Sequence, residues 1–192
     1  MDTIRILALI GLVLFYGTFI GKALLLKRQN ISVNQLGKGK HGLSFYQDIT
    51  LLISQYLIAG VMAVSVLCSE PVLSKPWMIV GLTAEYLAVI IFFRAIWDMK
   101  DSWRAGTPQD EKTHLVTTGI YRISRNPAFL AFDMLFFAIL MMYFNWPLLI
   151  LCLAVILLLH LQILSEEKFL KDTFGSKYLE YKRSVYRYCN LP

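Results

Sequence analysis

Met134–Ser165, MLFFAILMMYFNWPLLILCLAVILLLHLQILS, contains no Asp, Glu, Lys or Arg. At about 1.5 Å per helical residue the run is too long for one crossing of a bilayer core roughly 30 Å thick. Asn145-Trp146-Pro147 divides it, because proline cannot continue a helix from the residues before it. Two apolar arms joined by a tight turn make a helical hairpin, which returns the chain to the side it left. Arg125, ahead of the first arm, and Glu166, behind the second, are therefore expected on one membrane face. The polar stretch Thr113–Asp133 and the tail after Ser165 can then build a single site.

Composition agrees with a membrane protein. The chain is 57% hydrophobic and 17% charged, with a mean hydropathy of +0.56, whereas a soluble domain carries roughly 25% charged residues. Its 192 residues hold about five spans and short loops, so a catalytic site has to come from the spans and their connections. The expected fold is an all-α integral membrane protein with about five transmembrane helices, including the C-terminal hairpin, and an amphipathic tail. It reads as one membrane domain over 1–192, in which 1–97 supplies three spans and 98–192 the polar loop, hairpin and tail that can build a single site. The net charge of +6 sits in short loops beside apolar runs, which the positive-inside rule explains without nucleic acid. Cys68, Cys152 and Cys189 lack ligand spacing, so neither a disulfide framework nor a metal site follows. Cys189-Asn190-Leu191-Pro192 fits a prenylation box poorly.

Ile4–Leu26 is the first expected span, about Ile49–Leu67 the second, and Trp77–Trp97 the third. Lys27, Arg28, Lys38 and Lys40 follow the first span, placing that loop in the cytosol and the N-terminus outside. Lys and Arg recur between Asp98 and Arg125 and after Ser165, and are absent from the turn at Asn145, so the C-terminus is expected inside. Gly37-x-Gly39-x-x-Gly42 has the outline of a dinucleotide-binding turn, but between two spans it reads as a flexible basic loop. Within the spans, Arg94 lies one helical turn from Asp98 and can pair with it. Glu85 lies on the opposite face from Arg94, Asp133 can meet Glu85 or a base, and His160 reads as a satisfied interior histidine. Beyond the hairpin, Gly175 is a natural helix stop and Ser176 a natural cap for the next helix. Adjacent carboxylates Glu166 and Glu167 point in different directions on a helix, so one can face a ligand while the other meets lysine or water.

The pattern Leu115-Val116, Gly119-x-Tyr121, Arg125-x-Pro127, Glu166-Glu167, Phe174-Gly175, Tyr178-x-x-Tyr181 and Val185 resembles the C-terminal region of isoprenylcysteine carboxyl methyltransferases over Thr113–Val185. The chain's length resembles a short prokaryotic member. The resemblance implies S-adenosylmethionine as cofactor and the C-terminal carboxylate of a prenylated cysteine, or a similar lipidic acid, as acceptor. It implies a multi-pass protein of the cell membrane in a prokaryote, or of the endoplasmic reticulum in a eukaryote, with its site on the cytoplasmic side. Thr113, His114, Leu115, Val116 and Tyr121 would line the cofactor, Asn126, Pro127, Ala128 and Phe129 would complete its pocket, and Glu166 with Glu167 would close it. Arg94, Arg125 and Glu166 would carry catalysis, with Gln162 and Arg125 at the substrate. The partners implied are membrane lipid and the lipidic acceptor, without metal. This chain has Asn126 and Phe129 where the family carries His and Tyr, and Gln162 where it carries a base, so the substrate carboxylate needs Arg125, Arg94 or His160 instead.

Transfer to a carboxylate needs no general base, since the acceptor is already ionised near neutral pH. What remains is alignment, exclusion of water and counter-charge: Glu for the cofactor's ammonium, Arg for the acceptor's carboxylate. The same pattern also resembles phospholipid N-methyltransferases and, more distantly, NADPH-dependent sterol reductases. A non-enzymatic packing role for the hairpin leaves the paired glutamates and Arg125-x-Pro127 unexplained.

Overall fold

A computed structural model of the chain describes residues 2–106 and 114–189. Among them the architecture is all-helical, with a single bridge between Asn34 and Ala105. Helices α1 (Thr3–Arg28), α2 (Leu43–Cys68), α3 (Lys75–Asp98) and α5 (Trp146–Phe174) are long and apolar enough to span a bilayer. Helix α4 (Pro127–Met142), at 16 residues, covers roughly 24 Å and is the short member of the expected five. The amphipathic tail is helix α6 (Ser176–Ser184).

Local chemistry sets the boundaries. The Asp2 carboxylate accepts the Arg5 amide at 2.8 Å and caps α1, while Lys27 and Arg28 complement its C-terminal dipole. Pro127 opens α4 at the first helical position, where a missing N–H costs nothing. The hairpin turn behaves as its sequence implies: the Asn145 side chain accepts the Leu148 amide at 2.9 Å, and Pro147 lies in the first turn of α5. Gly175, at φ 53°, ends α5. Ser176 does not cap α6; it is the helix's first residue, and Gly175 takes the cap position without a side-chain bond.

The turn end of the hairpin is bolted to the start of α1 and the end of α2. Arg5 donates to the carbonyls of Leu67 and Ser69, and the Asn145 amide donates to Ser65 Oγ at 2.8 Å and Ser69 Oγ at 3.2 Å. At the opposite end gather the start of α2, the end of α3, the start of α4 and the tail. The loop between α1 and α2 is not the free basic loop expected. Gln35 N–H donates to Ala105 O at 2.8 Å and Ala105 N–H to Val33 O at 2.9 Å. The Gly37 amide donates to Asp48, which also forms a 2.7 Å buried ion pair with Lys40. The glycine pattern therefore serves a tertiary fastening, in which a strap over residues 29–42 is tied to α2 and to the 103–106 segment. Gly106, at φ +95°, would set a Cβ 3.0 Å from the Leu36 amide nitrogen. Gly106→Ala is expected to destabilise the protein by about 1–3 kcal/mol, read as a lowered thermal midpoint in detergent.

The expected pairing of Asp133 with Glu85 or a base is corrected by the packing. Glu85, fully buried, turns toward Gly11 of α1, where a Cβ would lie 2.6 Å from the carboxyl carbon, and among the described residues neither of its oxygens has a hydrogen-bond partner. Asp133 projects from α4, and its Oδ1 is likewise buried without a partner.

Candidate functional site

Between α1, α2, α4 and α5 lies a cavity of about 910 Å³, toward the upper end of the roughly 300–1,000 Å³ of small-molecule sites. Its walls are largely apolar, with Phe19, Phe92, Trp103, Phe129, Phe132 and Leu159 among them, and residues of the strap and of 103–106 cover one end. Along α1 its lining runs from Tyr16 to Lys27, a depth of roughly 16 Å. Ile20 of α1 and Tyr56 of α2 line the cavity and are also exposed, so the cavity reaches the bilayer-facing surface beside them. Polar side chains concentrate at the strap end: Lys27, Arg104, Gln162 and Glu166.

Glu166 and Glu167 part as successive residues on a helix must, about 100° apart. Glu166 lines the cavity, and Gln162, one turn earlier, donates to its Oε1 at 3.1 Å. Glu167 faces the other way into a cluster of cations. Arg187 donates two bonds of 2.9 Å, Arg125 approaches at 3.1 Å and Lys182 at 3.6 Å. This is the geometric consequence of the hairpin: the two ends of its arms meet through Arg125 and Glu167.

The tail is stitched to the segment ahead of α4. The Arg125 amide donates to Tyr186 O at 3.0 Å, the Asn126 side chain to Arg187 O at 3.0 Å and Ser124 Oγ to Arg187 O at 3.3 Å. Beside this seam Tyr121, Tyr178, Tyr181 and Val185 form a small core with Leu115, Val116 and Ile120 packed on it. The Tyr181 hydroxyl donates to Tyr121 O at 2.7 Å and the Tyr121 hydroxyl to Ala95 O at 3.4 Å. Burial pushes the Tyr121 hydroxyl well above its ordinary pKa, so it is a neutral donor at any physiological pH.

Of the residues expected at the site, Ala128, Phe129, Gln162 and Glu166 line the cavity. Leu115, Val116 and Tyr121 belong to the adjoining core, and buried Asn126 and Pro127 join the two regions. His114 is exposed, with its amide donating to Ser102 Oγ at 3.4 Å; Thr113 lies outside the described residues. The cations suggested for a substrate carboxylate are engaged elsewhere. Arg125 meets Glu167, Arg94 is half-exposed and paired with Asp98 at 3.3 Å, and His160 Nδ1 lies 2.7 Å from the Tyr188 hydroxyl. Lys27 instead brings positive charge to the cavity; Arg104, also on its lining, donates to the carbonyls of Asp101 and Trp103. The contribution of α1, α2 and the strap to this site had no signal in the sequence. Helices apolar on every side do not disclose which side faces a cavity.

A family model described as phospholipid methyltransferase matches residues 76–177, more than half of the chain. No curated protein matches the sequence.

Proposed function

We propose, because this chain belongs to the phospholipid methyltransferase family and is thus a membrane methyltransferase, that it carries a methyl group from S-adenosylmethionine to the polar head of a lipid lodged in the cavity. The preferred acceptor is the carboxylate of a prenylated cysteine or similar lipidic acid. The observation that carries this reading is Glu166: a carboxylate at the polar end of an apolar cavity, with Gln162 as its hydrogen-bond donor. That donor set suits a cationic ligand, because an acceptor-only group beside low-dielectric walls attracts positive charge strongly.

S-adenosylmethionine supplies a methyl group on a positively charged sulfur, from which it can be displaced directly. Glu166 holds the cationic partner, and Gln162 fixes the rotamer of Glu166. Lys27 offers counter-charge to an acceptor carboxylate, which would take the methyl group as the ion, without a base, as the neutral thioether S-adenosylhomocysteine leaves. Phe129 and Phe132 keep water from the nucleophile, and confinement replaces an encounter in solution with a fixed approach. In the same reading, residues 113–116, Tyr121 and 126–129 receive the cofactor from the cytosol, the N-terminus lies outside, and the catalytic region is 98–192 completed by the walls of α1 and α2.

The family model's own description favours a second reading, in which the acceptor is the amine of a phospholipid and Glu166 removes its proton. A methyl-transfer assay with radiolabelled cofactor separates the two. With N-acetyl cysteine thioethers of increasing prenyl length, kcat/KM is expected to climb with each buried methylene-sized unit, worth roughly 0.8 kcal/mol. Label appearing in phosphatidylethanolamine and not in the thioethers overturns the carboxylate reading in favour of the amine.

A further inference from the structure

We infer that Asp98, at the end of α3, is a positioning residue for the cofactor: it fixes the 115–122 segment, and Arg94 acts through it. This inference rests on the proposed use of S-adenosylmethionine. Asp98 lies outside the cavity lining and is used by no step above, yet three independent contacts converge on it.

The first is a hydrogen bond from the Ile120 amide to Asp98 Oδ2 at 2.8 Å. It satisfies a donor at the start of the 3-10 turn Gly119–Arg122, where the first amides have no partner within the turn. The second is the absence of a side chain at Gly119. This residue has φ +63°, and a Cβ there would overlap the Asp98 carboxylate, 2.5 Å from its carbon. Both the conformation and the close approach require glycine. The third is Arg94, one helical turn back, whose guanidinium lies 3.3 Å from the other carboxylate oxygen. Asp98 is therefore held on one oxygen and holds with the other.

What Asp98 holds reaches the seam of the site. Beyond Ile120, Tyr121 is tied to α3 through Ala95 O and to α6 through Tyr181. Leu115 and Val116 pack on the same small core. Removing the carboxylate frees the Ile120 amide and loosens the register of 115–122, leaving the apolar cavity walls intact. The consequence is selective: the affinity for S-adenosylmethionine falls, while the acceptor's interaction with α1, α2 and α4 does not. Arg94 is half-exposed and contributes by holding the Asp98 carboxylate in place.

The test is titration calorimetry of detergent-solubilised protein with S-adenosylmethionine, alongside KM for a prenylated cysteine thioether, in the wild type, Asp98→Ala and Arg94→Gln. Losing a hydrogen bond to a charged group is expected to raise the cofactor Kd of Asp98→Ala about tenfold, and Arg94→Gln to raise it about threefold. The acceptor KM should stay within about twofold of wild type. Unchanged cofactor affinity in Asp98→Ala overturns the inference, as does an equal rise in cofactor Kd and acceptor KM, which marks a merely structural role. If Asp98→Ala does not fold, Arg94→Gln decides, and an unaltered Kd there overturns it. A wild-type protein that binds no S-adenosylmethionine overturns the functional reading itself and this inference with it.

Discussion

Replacing Glu166 by glutamine is expected to lower kcat/KM for methyl transfer by roughly thirtyfold to a thousandfold while leaving the thermal midpoint near that of the wild type. The magnitude follows from removing the counter-charge of a partly desolvated cation, about 2–4 kcal/mol, at about 1.36 kcal/mol per tenfold. Glutamine is chosen because it preserves shape and can still accept the bond from Gln162. Among the described residues no other carboxylate lines the cavity, so none of them replaces the lost charge. A kcat/KM within threefold of wild type contradicts the assignment of Glu166 as the cation's partner.

Glu167→Ala is expected to do the opposite, with a loss of stability of about 3–5 kcal/mol arising from a buried charge left without its partner. The decisive member of the cluster is Arg125, whose side chain is only 7% exposed. Lys182 and Arg187, at 46% and 31%, can turn to water and contribute far less. Without Glu167 the Arg187 side chain loses both of its 2.9 Å bonds, and the 185–188 tail is left with its backbone seam to Ser124, Arg125 and Asn126, the packing of Val185 and the Tyr188–His160 contact. Trypsin should therefore cut at Arg183 and Arg187 far faster in the variant. An unchanged thermal midpoint together with an unchanged digestion rate contradicts this account of the tail.

The contrast between these two neighbours shows how far sequence reasoning reaches. Their spacing on a helix states that they diverge, and the hairpin states that they lie beside Arg125. Neither states which one Arg125 takes, because that depends on the path of the tail fifteen to twenty residues after Glu167. The hairpin itself was legible in Asn145-Trp146-Pro147, since capping and proline geometry are local. So were the ends of the long helices, marked by Gly175 and by the Lys27-Arg28 pair. The cavity was not. Tyr16, Gln55 and Phe92 line it from three helices that are apolar all round, and no periodicity separates a cavity-facing side from a lipid-facing one. The strap was illegible for a related reason: its glycines suggested freedom, and the groups that fasten it, Asp48 and Ala105, lie respectively across a helix boundary and about seventy residues away. Asp98 was seen only as the partner of Arg94, because its bond to the Ile120 amide joins segments that sequence distance keeps apart.

The central claim is that the polar end of the cavity, at Glu166, receives the cation of S-adenosylmethionine. Titration calorimetry of the purified full-length protein in detergent with S-adenosylmethionine, repeated with Glu166→Gln and with NADPH, tests it most directly. Saturable one-site binding of S-adenosylmethionine to the wild type, its loss in Glu166→Gln and no heat from NADPH is the predicted result. Saturable binding of NADPH without binding of S-adenosylmethionine, or equal affinity for S-adenosylmethionine in the two proteins, contradicts it.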